Sequence, residues 1–161
     1  MLNCLATFDR IYLINLERRK DRLDKWFSDN GTFVSGLSNL EIFKAIDGKE
    51  LPYHALWENN MGFLGCLESH LSILKDVTEK GYQKVLIFED DFIFDENFEY
   101  LFKKGWNTLP PNWDMLYLYA GDYTPAVPYN EYLFKREPYK WGVNYITKKF
   151  LRLNIFDRAD K

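Results

Sequence analysis

The chain has 161 residues, which suits one domain built on one core. Apolar residues make up 47% and charged residues 28%, the balance of a globular chain rather than a disordered one. A formal net charge of −3 speaks against broad nucleic-acid affinity, which needs a basic face. No apolar stretch approaches the roughly 20 residues of a membrane helix.

Met1 to Asp9 lacks the basic start and apolar run of a secretory signal. The two cysteines, Cys4 and Cys66, allow one bridge at most, and a chain of this length builds a core without it. Reduced thiols in the cytoplasm are therefore the expectation, with peripheral membrane contact left open. Aromatic residues reach 18%, and most of these rings belong in a core.

Apolar runs alternate with helical patterns, the order of an α/β domain. Arg10 to Asn15 is short and β-prone. Glu17 to Asn30 carries Leu23, Trp26 and Phe27 at helical spacing, with Gly31 as the expected stop. Leu40 to Ile46 reads as a second strand ending at the turn pair Asp47-Gly48. Residues 51–61 read as a loop. Gly62 to Lys80 is the clearest helix: Leu67, Leu71, Leu74 and Val77 mark an apolar stripe, and Gly81 is placed to cap it.

Lys84 to Phe88 is a continuous apolar run, the pattern of a central parallel strand. Asp95 to Lys104 predicts a short helix stopped by Gly105. Asp114 to Tyr119 predicts another strand. The stretch 121–140 is rich in Tyr and Pro and has little periodicity. Gly142 to Thr147 predicts a last strand, and Lys148 to about Asp157 a final helix.

Ligands of open α/β sheets sit beyond the carboxyl ends of the strands. That rule singles out Asn15, Asp47, Glu89 to Asp91 and Gly121-Asp122. In extended chain Glu89 and Asp91 point to one face and Asp90 to the other. Adjacent carboxylates repel unless a cation or water relieves them, and Mg²⁺ or Mn²⁺ takes carboxylate and phosphate oxygens together. A solvated turn explains the triplet as well.

The segment Asn15-Leu-Glu-Arg18-Arg19-Lys20-Asp21-Arg22 sits where a helix begins. Cations there oppose the macrodipole. A bound phosphate would offset that cost, and so would pairing with Glu17 and Asp21. Gly62-Phe-Leu-Gly65-Cys66-Leu-Glu-Ser69-His70 opens the long helix. Its glycines allow close approach of a ligand to free N–H groups, and Ser69 and His70 carry groups that can bond a phosphate or ribose. Cys66 and His70, four apart, offer two zinc ligands. Only Cys4 and His54 remain to complete a four-ligand set, and they lie far away without motif spacing. A satisfied, half-buried histidine is the plainer account of His70.

These segments together resemble glycosyltransferase family 25, the lipopolysaccharide-type galactosyl- and glucosyltransferases and collagen galactosyltransferases. Ile14-Asn15-Leu16-Glu17-Arg18-Arg19-Lys20-Asp21-Arg22 resembles the family's opening strand and basic turn. Phe43-Lys44-Ala45-Ile46-Asp47-Gly48 resembles its Ala-x-Asp-Gly element. Gly62 to His70 resembles its Gly-x-x-Gly-Cys-x-x-Ser-His signature, and Leu86-Ile87-Phe88-Glu89-Asp90-Asp91 its strand ending in Glu-Asp-Asp. Trp113-Asp114 and Gly142 to Thr147 are weaker echoes.

The resemblance implies one GT-A type, Rossmann-like α/β domain over 1–161, with a central, mostly parallel sheet. It implies a UDP-sugar donor (UDP-galactose or UDP-glucose), Mn²⁺ or Mg²⁺, inversion, and a glycan, lipooligosaccharide or hydroxylysine hydroxyl as acceptor. Glu89 and Asp91 would touch the metal. Asn15, Asp47, Ser69 and His70 would lie near the nucleotide, and Arg18 and Arg22 would hold the turn or meet phosphate. Gly65 and Asp90 are grouped with this donor-binding set.

Family members continue beyond the point matching Lys161, and the continuation carries acidic residues near the acceptor. Asp122 is then the in-chain candidate for general base. The short C-terminus also motivates a second reading, a nucleotide-sugar or protein-binding module without turnover. A third, a nucleotide-hydrolysing enzyme, lacks the Gly-x-x-x-x-Gly-Lys-Ser/Thr loop that would favour it.

Overall fold

The first β-prone run becomes strand β1 (Arg10–Asn15), buried from Ile11 to Asn15. It appears in a computed structural model that describes residues 4–52, 57, 60–111, 113, 115–118, 126–128, 130–131, 133–136 and 150–153. Two compact units emerge, Met1–Phe94 and Asp95–Lys161.

In the first unit, β2 (Leu40–Lys44) and β3 (Val85–Glu89) pair with β1 on either side, both parallel to it. The order is β2-β1-β3, so within this sheet β1 and not β3 takes the middle place. Both strands are apolar, but among the described residues only β1 has ladder partners on both edges, and its burial is correspondingly more complete. This open parallel sheet in a mixed α/β chain is compatible with a Rossmann-like glycosyltransferase domain.

Alternation along β1 sorts the two faces. Tyr12 and Ile14 meet Ile73 of helix α2 (Met61–Lys80). On the opposite face, Phe88 of β3 packs against Trp26 of helix α1 (Lys20–Val34), ring centroids 6.1 Å apart. The sheet is thus covered by one helix on each side.

Helix α1 runs three residues past the expected stop at Gly31. A mid-helix glycine costs about 1 kcal/mol relative to alanine, but continuing buries Val34 and stacks Phe33 on Phe94 at 4.7 Å. The chain turns instead at Gly36, where φ is +77°. The N-terminus also starts later than Glu17, because Leu16 to Arg19 form a turn closed by Arg19 N–H on the Leu16 carbonyl, 2.7 Å.

Helix α2 ends as expected at Gly81, in the left-handed conformation at φ 71°, and starts one residue earlier than expected, where Asn60 caps it by accepting from Phe63 N–H. Its buried face is different from the predicted stripe. Gly65, Ser69 and Ile73 are buried, while Leu71 and Leu74 are 37% and 46% exposed. Small residues let the helix approach backbone closely, and this outranks side-chain hydrophobicity. A Cβ on Gly65 would lie 2.5 Å from Gly48 N and from the Ile46 carbonyl oxygen. A Cβ on Gly48 would lie 1.7 Å from the Met61 carbonyl oxygen. The two glycines lock the loop after β2 onto the helix.

In the second unit, helix α3 is Phe98–Trp106. Asp95 opens a turn before it, accepting from Asn97 N–H at 2.8 Å, so the helix starts three residues later than expected. It continues through Gly105, expected as a stop, because Phe98, Phe102 and Trp106 stack at 5.5 and 5.2 Å along one face. Strands β4 (Met115–Tyr117), β5 (Ala126–Pro128), β6 (Leu133–Arg136) and β7 (Phe150–Leu153) form a mixed sheet of order β4-β7-β6-β5. The hairpin β5-β6 lies in the stretch read as aperiodic; Asn130 pins its turn by accepting from Leu133 N–H at 2.8 Å.

Phe150 to Leu153 were expected in a final helix and are a strand. Their backbone pairs on both sides, parallel with β4 and antiparallel with β6, and two ladders override a local helical period. The predicted strand Gly142 to Thr147, and Gly121 and Asp122, lie outside the described residues. No helix among the described residues is long and apolar enough to cross a membrane.

Candidate functional site

The carboxyl ends of β1, β2 and β3 lie side by side, because all three strands are parallel. Asn15, Asp47 and Glu89 to Asp91 therefore gather at one edge of the sheet, as the strand-end rule predicts.

The acidic triplet divides across the sheet. In register, Ile14 of β1 faces Glu89 of β3. Glu89 follows the alternation of Ile87 onto the α2 side, where its Oε1 lies 3.2 Å from His70 Nε2 and 3.7 Å from Cys66 Sγ. Asp90 turns the other way, toward α1. Its Oδ1 meets Arg22 Nη2 at 2.5 Å and its Oδ2 accepts from Asn15 Nδ2 at 2.7 Å. The expectation that Asp91 shares a face with Glu89 requires extended chain, and β3 ends at Glu89. A turn closed by Phe92 N–H on the Glu89 carbonyl brings Asp91 back to Arg22 as well, at 3.0 Å. Arg22 thus clamps two carboxylates, one 11% and one 70% exposed.

The basic turn finds its counter-charges within the chain. Arg18 Nε donates to Asp47 Oδ2 at 2.6 Å, and Arg19 makes a two-pronged contact with Asp21. Arg18 and the Lys49 N–H hold the Asp47 carboxyl below its ordinary value. Beside the Arg22 clamp a cavity of about 320 Å³ opens, walled by Trp26, Phe92 and Ile93 together with Arg22, Asp90 and Asp91.

On α2, Ser69 is fully buried. Its hydroxyl donates to the Gly65 carbonyl at 2.7 Å and accepts from Ile46 N–H at 2.8 Å. Ser69 and Gly65, expected near the nucleotide, fix the loop that carries Asp47. His70 and Cys66, one turn apart, do reach the site. Hydrogen bonding to Cys66 and then to Glu89 raises His70 from the ordinary 6.5 to about 9, against a smaller opposing effect of burial. Contact with His70 in turn lowers Glu89.

The meeting of Glu89 with Cys66 and His70 was not visible in the sequence. It depends on β3 packing over α2, and only the four-residue spacing of Cys66 and His70 hinted at it.

The linkage has a definite sign. A raised His70 pKa stabilises the fold fully below about 6.5, and that contribution disappears as pH rises through about 9. With chelator present, Glu89→Gln is expected to destabilise the chain at pH 6 and to leave it little changed at about pH 10. Urea unfolding at the two pH values measures this, and the His70 ring resonances should titrate lower in the variant. An equal loss at both pH values would remove the ion pair from the account.

Comparison with known proteins agrees with this geometry. The model for glycosyltransferase family 25 (LPS biosynthesis protein) matches residues 8–135. Procollagen galactosyltransferase 2 of Mus musculus is 30% identical over 131 residues, covering 69% of this chain and 20% of that protein. Procollagen galactosyltransferase 2 of Homo sapiens is 27% identical over 164 residues, covering 86% and 26%. The inactive glycosyltransferase 25 family member 3 of Homo sapiens is 29% identical over 130 residues, covering 69% and 22%. The chain therefore spans about a fifth to a quarter of the length of these relatives. No solved structure matches it. The matched span holds the basic turn, the Asp47 loop, the Cys66–His70 helix and the acidic triplet that the fold draws to one sheet edge, and the chain belongs to glycosyltransferase family 25.

Proposed function

We propose that this chain is the donor-binding part of a glycosyltransferase that moves galactose or glucose from a UDP-sugar to a hydroxyl acceptor, with inversion and with Mn²⁺ or Mg²⁺. The observation that carries this reading is the gathering of Asn15, Arg18–Asp47 and Arg22–Asp90–Asp91 at the carboxyl ends of three parallel strands, beside an open cavity. Family membership and the likeness to procollagen galactosyltransferases support it.

The residues suit a hard cation. Glu89 and Asp91 keep side chains that are 52% and 70% exposed, and carboxylate oxygens with substrate phosphates are the usual ligands of such ions. Asp91 would hold the cation, and Glu89, now on the α2 side, would join it once Asp91 leaves Arg22; when bound, the cation neutralises charge developing on the leaving nucleoside diphosphate. Asp90 is an anchor: bonded to Asn15 and Arg22, it fixes the turn from which Asp91 projects. Arg22 is placed to move from Asp91 to a phosphate oxygen. Arg18 holds the Asp47 loop. The acceptor is a glycan, glycolipid or protein hydroxyl, and Asp122 remains the proposed base.

A second reading, binding without turnover, is favoured by the 29% identity to an inactive family member. Calorimetric titration of UDP, UDP-galactose and UDP-glucose with Mn²⁺, and again with chelator, tests the donor site. The expected result is binding with metal only, lost in Asp91→Ala. Undiminished metal-dependent binding in that variant would overturn the assignment of Asp91. UDP release in the presence of an acceptor would exclude the binding-only reading.

A further inference from the structure

One side-chain cluster combines soft and hard metal ligands. Cys66 and His70 lie one turn apart on α2, and Glu89 ends β3; one ligand atom from each lies within 4.8 Å of the others. Among the described residues this is the group of His, Cys, Asp and Glu that converges in this way. The carboxylates of Glu89, Asp90 and Asp91 do not, because the sheet edge separates Glu89 from the two aspartates on Arg22.

Two of the three distances between these atoms are close to those of a coordination shell, and the third is at most 4.8 Å. Zinc bonds of about 2.0–2.3 Å to N, O and S place the ligand atoms of a tetrahedron about 3.3–3.8 Å apart. His70 Nε2 and Glu89 Oε1 are 3.2 Å apart, and Cys66 Sγ and Glu89 Oε1 are 3.7 Å apart. The ligands stand on a capped helix and a paired strand rather than on loops. The close contact of Gly65 with Gly48 fixes the same turn of α2. A thiolate, a carboxylate and a neutral imidazole together balance the charge of a divalent ion. The half-exposed rim of His70 and Glu89, at 35% and 52%, leaves one side open to solvent.

We propose that Cys66, His70 and Glu89 form a site for a zinc-class divalent ion, with a fourth position open to water or a substrate oxygen. Thiolate and imidazole select such an ion over Mg²⁺ and Mn²⁺. Binding of this ion requires no sugar transfer. It shares Glu89 with the donor-side cation and differs from it in Cys66, His70 and the class of ion.

The test is a titration of the full chain, reduced and stripped by chelator, with Co²⁺ as a spectroscopic stand-in for zinc. The expected result is a thiolate-to-cobalt charge-transfer band with the strong visible bands of four-coordinate cobalt. Zn²⁺ should bleach them, and excess Mg²⁺ or Mn²⁺ should not. Cys66→Ser should lose the charge-transfer band, His70→Gln should lose the four-coordinate bands, and Asp91→Ala and Cys4→Ser should keep both. Circular dichroism reports whether each variant is folded, and the unaltered chain decides the question if a variant is not. Absence of the charge-transfer band in the unaltered chain would overturn the proposal. So would its persistence in folded Cys66→Ser, or cobalt binding lost in Asp91→Ala and kept in Cys66→Ser. Failure of UDP binding would leave these spectra unchanged, so the two readings fail separately.

Discussion

Gly65→Ala is expected to destabilise the first unit by about 3 kcal/mol, at the upper end of what overpacking ordinarily costs. The added Cβ would stand 2.5 Å from two backbone atoms, Gly48 N and the Ile46 carbonyl oxygen, and neither belongs to a flexible side chain that can swing aside. Relief requires the Ile46–Gly48 loop to leave the helix. That movement breaks the Ser69 hydroxyl's contact with Ile46 N–H and withdraws Asp47 from Arg18. One methyl group should therefore lower the urea midpoint and weaken nucleotide binding together. Gly62→Ala is the internal control. It lies in the same helix, but among the described residues its added Cβ would meet only Asn60 Oδ1, at 3.9 Å. There the gain in helix propensity, up to about 1 kcal/mol, should hold or raise stability. If Gly65→Ala unfolds within about 0.5 kcal/mol of the unaltered chain, the tight helix–loop contact is not what fixes Asp47.

The same contact explains why one part of the fold was legible in sequence and another was not. Strand β1 was readable to the residue, since a β-prone run buried on both faces leaves one solution. Helix α2 was readable to within one residue, since its apolar period stops where Gly81 caps it. Its buried face was misread because periodicity weighs side chains by hydrophobicity, whereas Gly65 and Ser69 earn burial by letting backbone come near.

Gly31 and Gly105 looked like stops, and aromatic stacking of Phe33 on Phe94 and of Phe102 on Trp106 carries both helices through them. Phe150 to Leu153 became a strand through partners distant in sequence. The site followed the same division. Strand-end positions of Asn15, Asp47 and the acidic triplet could be read from the order of elements. The splitting of that triplet, Glu89 to α2 and Asp90 to α1, depends on where β3 ends, which a run of hydrophobic residues followed by three acids does not reveal.

Asn30 carries the second large expected effect, and nothing in the sequence marked it, since it stood at the presumed end of α1. It is fully buried inside the helix, one turn after Trp26. Its Nδ2 donates to the Trp26 and Phe92 carbonyls, each at 3.0 Å, and its Oδ1 accepts from Phe94 N–H at 2.9 Å. Helix α1 satisfies its own backbone, whereas Phe92 to Phe94 belong to no strand, and their Phe92 carbonyl and Phe94 N–H bond this side chain. Asn30→Ala would leave the Phe94 N–H buried without that partner, and the expected cost is about 3 kcal/mol, shared between lost bonds and desolvation.

The segment it pins begins directly after Asp91. Loosening it should free the turn that Arg22 clamps, so hydrogen exchange at the Phe94 amide should accelerate more than at the Ile11 to Ile14 amides of β1. Metal-dependent nucleotide binding should weaken while the chain is still folded. Uniform acceleration across β1 and Phe94 would mean that Asn30 supports the whole unit and not this turn. Selective acceleration would make the asparagine the piece of α1 that sets where the acidic turn stands, about two turns of helix away from the arginine that holds its charge.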